Sequence, residues 1–112
     1  MPRDMRLYLD DILEAIARVG EYVSGMSYQD FVGDRKTVDA VVRNLEIIGE
    51  AARSLPEGTR DLAPDIEWRK IVGLRNLLMH EYFGVNTAIV WDVVQNKLHM
   101  LQIACRRLLE EG

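Results

Sequence analysis

Between Asp4 and about Ser24, apolar residues Leu7, Ile12, Ile16, Val19 and Val23 recur at helix-like spacings, and Gly25 supplies a stop. This pattern predicts a first amphipathic helix. Ser27 is suited to cap one further turn over Tyr28-Gln29-Asp30-Phe31-Val32 before Gly33. Asp34 then caps a second long helix, in which Val38, Val41, Val42, Leu45, Ile48, Ala52 and Leu55 form an apolar stripe ending at Leu55-Pro56-Glu57-Gly58. Thr59 to Asp65 holds Pro64 and no sustained period, so it predicts a connection with at most a short helical turn. The third helix begins near Ile66 or Glu67 and runs through Trp68, Ile71, Val72, Leu74, Leu77, Leu78 and Met79 to about Tyr82, where Phe83-Gly84 breaks it. Asn86 or Thr87 caps a fourth helix that carries Ile89, Val90, Val93, Val94, Leu98, Leu101, Ile103, Ala104, Leu108 and Leu109 almost to the end. No strand is required. Four long amphipathic helices with short connections predict an all-α fold, an antiparallel four-helix bundle in one domain spanning residues 1–112.

Composition narrows the classes that remain. The 112 residues are 48% hydrophobic and 29% charged, which fits a globular domain and excludes a disordered or collagen-like chain. No run approaches the length of a membrane span, and the N-terminus lacks a signal-peptide pattern, so a soluble cytoplasmic protein is expected. Cys105 is the only cysteine; it is expected as a small buried residue, and a disulfide within the chain is impossible. A net charge of −4 argues against a broad basic face for nucleic acid and leaves room for a focused basic cleft.

The third helix carries the candidate chemistry. With about 100° per residue and Arg75 taken as zero, Tyr82 falls at roughly 340°, Leu78 at 300°, Ile71 at 320°, Trp68 at 20° and Met79 at 40°. Arg75 therefore sits within an apolar stripe, where an unpaired guanidinium would cost several kcal/mol. Asn76 and His80, at roughly 100° and 140°, share a neighbouring edge one turn apart. Such a set suits RNA cleavage without a metal, in which a 2′-hydroxyl attacks the adjacent phosphate. His80 would act as general base or acid, Arg75 would neutralise the phosphate, and Asn76 would fix the imidazole or donate to a phosphate oxygen. A two-fold dimer would supply both an acid and a base and would bury the stripe. The alternative is structural: Arg75 paired with a carboxylate of Glu46 or Glu50 on the second helix, and His80 satisfied in the core.

The string Trp68-Arg69-Lys70-Ile71-Val72-Gly73-Leu74-Arg75-Asn76-Leu77-Leu78-Met79-His80-Glu81-Tyr82-Phe83-Gly84 resembles the hallmark segment of the HepT family of HEPN domains. That family's signature is Arg, four residues, His, one residue, Tyr; Arg75, His80 and Tyr82 match it, and Asn76 is the usual first variable residue. Leu9-Asp10-Asp11-Ile12, Phe31 and Asp34, Arg43 to Ala51, and Val90-Trp91 also look typical of the family. The resemblance implies a HEPN-like helical homodimer with two signature motifs facing a composite cleft, and a metal-independent ribonuclease toxin acting on tRNA or mRNA without a cofactor. It further implies a cognate MntA-like minimal nucleotidyltransferase antitoxin that transfers AMP to Tyr82, in a type VII-like toxin–antitoxin system. AMP on Tyr82 would set a bulky anion beside Arg75; without the resemblance, Tyr82 reads equally as a half-buried aromatic at a helix end.

Trp68 and Trp91 are expected as core or interface aromatics rather than base-stacking platforms, and His99 as a surface or packing residue. Glu46 and Glu50 are expected to orient Arg75 or to pair with Arg43 or Arg53, in preference to holding a metal. A competing function is a non-catalytic helical nucleotide-binding or scaffold subunit that docks a nucleotidyltransferase.

Overall fold

A computed structural model describes residues 4–74, 76 and 86–111. Among these residues there are helices and no strands: α1 (Met5–Val23), α2 (Tyr28–Gly33), α3 (Arg35–Ser54), α4 (Glu57–Asp61), α5 (Trp68–Val72), α6 (Thr87–Asn96) and α7 (Leu98–Glu111). None of them is long and apolar enough to cross a membrane.

Local chemistry sets the helix starts. Asp4 accepts the Arg6 N–H at 2.9 Å at the head of α1. Ser27 and Asp30 form a reciprocal capping box on α2, with Asp30 N–H to Ser27 Oγ at 3.1 Å and Ser27 N–H to Asp30 Oδ2 at 3.0 Å. Asp34 accepts both the Thr37 N–H, at 3.2 Å, and the Thr37 hydroxyl, at 2.8 Å, at the head of α3. Those two hydrogen bonds hold the Asp34 carboxyl below the usual carboxylate range. Past the end of α1, Gly25 adopts φ +76°, a conformation that strains any residue with a Cβ.

The core gathers Leu9, Ile12 and Val19 of α1, Phe31 of α2, Val41, Leu45 and Ile48 of α3, Val90 of α6, and Leu101 and Leu108 of α7. Each such side chain contributes roughly 1.5–3 kcal/mol by leaving water. α1 packs chiefly on α3 and α7, and α3 also meets α2 and α5. Tyr8 and Asp11, early in α1, line one groove with Glu50, Ala51 and Ser54, late in α3, so the two helices run antiparallel. The Thr59 hydroxyl, in α4, donates to Met5 Sδ at 3.1 Å and fastens the connection beneath the start of α1.

The structure departs from the periodicity at three places. Leu7 and Ile103 were expected in the apolar stripes but are 45% and 53% exposed. Each points away from its helix's buried face, which is set by Leu9, Ile12 and Ile16 in α1 and by Leu98, Leu101, Cys105 and Leu108 in α7. The single fourth helix is two, joined at Lys97, which takes φ −116°. Hydrogen bonding passes through the joint, from Lys97 N–H to Val93 O at 3.0 Å and from Leu101 N–H to Lys97 O at 3.4 Å. The buried stripe also runs through it, so periodicity alone shows no break; the joint falls at the end of the polar run Gln95-Asn96-Lys97. The third helix starts at Trp68 with Glu67 as its cap residue and is interrupted by a turn at Gly73, the residue of lowest helix propensity in the run; Leu74 and Asn76 are helical again. Its expected continuation through Arg75, His80 and Tyr82 lies outside the described residues.

Candidate active site

The segment that leads into the Arg-x4-His-x-Tyr signature is held from below. The Trp68 indole is buried and its Nε1–H donates to the Ala63 carbonyl at 3.0 Å, while Ile66, Ile71 and Leu74 are buried beside it. Burying an indole with its one donor satisfied gives the segment a fixed starting point. The opposite side of the same segment meets solvent: Arg69, Lys70 and Asn76 are exposed. Arg69 precedes the turn at Gly73 and Asn76 follows it. A guanidinium and a carboxamide are thus both open to solvent, and each is able to contact phosphate oxygens. Sequence reasoning selected Asn76 and passed over Arg69.

Charge fastens this segment to the α6–α7 joint. The Glu67 carboxylate lies 2.9 Å from Lys70 Nζ and 3.7 Å from Lys97 Nζ. Lys70 above all holds the Glu67 carboxyl below its ordinary value, and Glu67 in turn raises the Lys70 ammonium. All three groups face water, so the network orients more than it stabilises. Beside it opens a cleft of ≈ 600 Å³ between α5 and the α6–α7 pair, with Ile71, Leu74, Ile89 and Val93 among its apolar lining and Lys70 and Lys97 at its polar edge.

Of the sequence-selected site residues, Asn76 is exposed and helical, and Arg75, His80 and Tyr82 lie outside the described residues. Glu46 and Glu50 are brought together on α3, where they line a second groove of ≈ 470 Å³ with Tyr8, Asp11 and Arg43. Glu46 reaches Arg43 at 4.0 Å, one of the pairings anticipated from the sequence, in the loosest geometry that still counts as an ion pair. The groove also joins two segments that look typical of the HepT family, around Asp11 and around Arg43 to Glu50.

On the far side of residues 77–85, Asn86 caps α6 by accepting the N–H groups of Ala88 and Ile89 at 3.1 and 3.2 Å. Trp91 packs against Phe31 with ring centroids 5.1 Å apart, and it is partly buried, as expected of a packing aromatic. His99 is exposed, and Cys105 is fully buried, with burial pushing its thiol up to about 12.

The family model described as ribonuclease HepT-like matches residues 12–108. A Thermococcus cleftensis protein named probable ribonuclease HepT is 40% identical, over 91% of this chain and 93% of its own length. A Methanocaldococcus jannaschii protein named as a candidate RNase is 42% identical over 88% of this chain and 82% of its own, and a Caldanaerobacter subterraneus protein named in the same way is 40% identical over 95% of each. No solved structure gives a significant match. With a family match across nearly the whole length, and relatives of this identity covering most of both chains, the protein belongs to the HepT-like ribonuclease family.

Proposed function

We propose that the protein is a metal-independent ribonuclease toxin of a type VII-like toxin–antitoxin pair, cytoplasmic, with tRNA or mRNA as its substrate. The observation that carries this reading is the family match over residues 12–108, which contains the whole signature from Arg75 to Tyr82. Arg75 neutralises the scissile phosphate and the charge that develops on it, His80 moves a proton to or from the attacking 2′-hydroxyl or the leaving oxygen, and Asn76 donates to a phosphate oxygen or fixes the imidazole. Glu46 and Glu50 orient Arg75. A homodimer brings two signatures to one cleft, so that one His80 serves as base and the other as acid. A cognate minimal nucleotidyltransferase silences the enzyme by transferring AMP to Tyr82, which places an anion beside the guanidinium that would otherwise receive the substrate phosphate.

The segment leading into the signature supports a focused contact of this kind, since Arg69 and Asn76 are both exposed on a chain whose net charge is −4. The deciding experiment is cleavage of RNA by the purified protein in the presence of a chelator, wild type against His80→Ala. Cleavage by wild type alone is the expected result. Cleavage by both would remove His80 from the mechanism, and cleavage by neither would favour a scaffold subunit that docks a nucleotidyltransferase.

A further inference from the structure

Tyr28, the first residue of α2, lies against Trp91 in the middle of α6, with ring centroids 6.0 Å apart and planes at 58°. Phe31 backs the same indole at 37° and is fully buried. Tyr28 itself remains 39% exposed, and Val32, one helical turn further along α2, is 45% exposed. The Tyr28 hydroxyl lies 3.2 Å from Thr87 Oγ1, at the first residue of α6. The ring is therefore held at its tip by a hydrogen bond and along its body by an indole. A ring so held has lost most of its rotamer freedom before any ligand arrives. A ring pair tilted by 58° is not stacked face on face, so the indole covers at most one face of the tyrosine.

We propose that Tyr28, backed by Trp91, is a stacking platform for an unpaired base of the RNA substrate. The ligand class rests on the ribonuclease reading above; the platform itself rests on the ring geometry. Base–aromatic stacking needs no basic surface, because every base has a π-face, and this suits a chain of net charge −4 better than a phosphate track would. Connectivity keeps the platform near the signature: Thr87 follows Tyr82 by five residues, so their Cα atoms are at most about 18 Å apart. An RNA strand engaged at the Tyr82 end of the signature can thus reach Tyr28 with a base a few nucleotides along. Trp68 is buried with its indole N–H bonded to Ala63 whereas Trp91 touches Tyr28, so an emission change that disappears in Trp91→Phe reports the platform.

The test titrates wild type, Tyr28→Leu and Tyr28→Phe with a short single-stranded deoxyadenylate oligomer, which lacks the 2′-hydroxyl needed for cleavage, and reads tryptophan emission and Kd. It also measures RNA cleavage by each protein, and mass by analytical ultracentrifugation. The expected result is a change of emission in wild type and a Kd about tenfold weaker in Tyr28→Leu, with Tyr28→Phe close to wild type. KM for RNA should rise in parallel in Tyr28→Leu with kcat unchanged. Equal Kd and KM in wild type and Tyr28→Leu would overturn the proposal while leaving the ribonuclease reading intact. Loss of self-association in Tyr28→Leu at unchanged oligomer affinity would also overturn it, assigning the surface to a second copy of the chain. Oligomer binding that depends on Tyr28 in a protein that cuts no RNA would uphold the platform and overturn the ribonuclease reading.

Discussion

The Trp68 indole N–H donates to the carbonyl of Ala63 at 3.0 Å, across the turn that begins the signature-bearing segment. This bond and the burial of the ring fix where the segment leaves the core. Trp68→Ala should cost about 3–5 kcal/mol of stability. Trp68→Phe, which keeps most of the apolar area and removes the indole donor while the Ala63 carbonyl still accepts the Ile66 N–H at 3.2 Å, should cost about 0.5–1.5 kcal/mol. Urea denaturation of the three proteins checks both figures, and near-equal values for the two variants would show that the hydrogen bond, rather than the packing, dominates.

If Arg75 and His80 carry the chemistry, Arg75→Ala and His80→Ala should each lower kcat by about 10²–10⁴ with little effect on the melting temperature. Asn76 is exposed, so Asn76→Ala should leave the fold intact and separate its chemical part from any structural one. Single-turnover cleavage of a labelled RNA measures all three; a double variant no worse than the weaker single one would show that the two residues act as a unit.

Co-expression with a cognate minimal nucleotidyltransferase should add one or more AMP masses to the wild-type chain and none to Tyr82→Phe. Intact-mass spectrometry reads this directly. Persistence of the added mass in Tyr82→Phe would move the modification to another residue.

The Asp34 carboxyl is held down by the Thr37 hydroxyl and N–H, so its folded value lies below the ordinary 3.8. The sign follows from linkage: the contribution is fully present above the unfolded value and disappears as pH falls through the folded one. Glu67 behaves likewise below its ordinary 4.5, whereas Lys70, raised above 10.5 by Glu67, loses its contribution as pH climbs through its folded value. Melting temperature followed against pH should therefore fall less steeply on the acid side in Asp34→Asn than in wild type. Glu67→Gln should flatten both ends of the profile. Unchanged acid limbs in both variants would show that these pairs do not contribute to stability.

Cys105 is fully buried and its thiol is pushed up to about 12 by burial, so little thiolate forms at pH 8. In the native protein it should react with a thiol reagent only at the rate at which the bundle opens, and promptly in denaturant. Fast native modification would place the last helix in a locally opening state.

The sequence by itself determined the helices and their starts. Asp4, Ser27, Asp34 and Asn86 cap the helices they were expected to cap or precede, because an N-cap needs only a short polar side chain next to free backbone N–H groups. The stripes of α1, α3 and α7 followed from period alone, since burial selects one face of a helix. Family membership was legible in the string from Trp68 to Gly84 together with Arg43 to Ala51. Only the tertiary structure decided what lies far apart in the chain. It set Tyr28 against Trp91, Asp11 in one groove with Glu50, and Glu67 within reach of Lys97. It also showed the break at Lys97, which an unbroken apolar stripe conceals. The physical reason is common to all of these. Capping and periodicity act within one or two turns of a helix, whereas a ring pair, a groove or a cross-helix ion pair depends on how separate helices are packed, and local sequence carries no term for that distance.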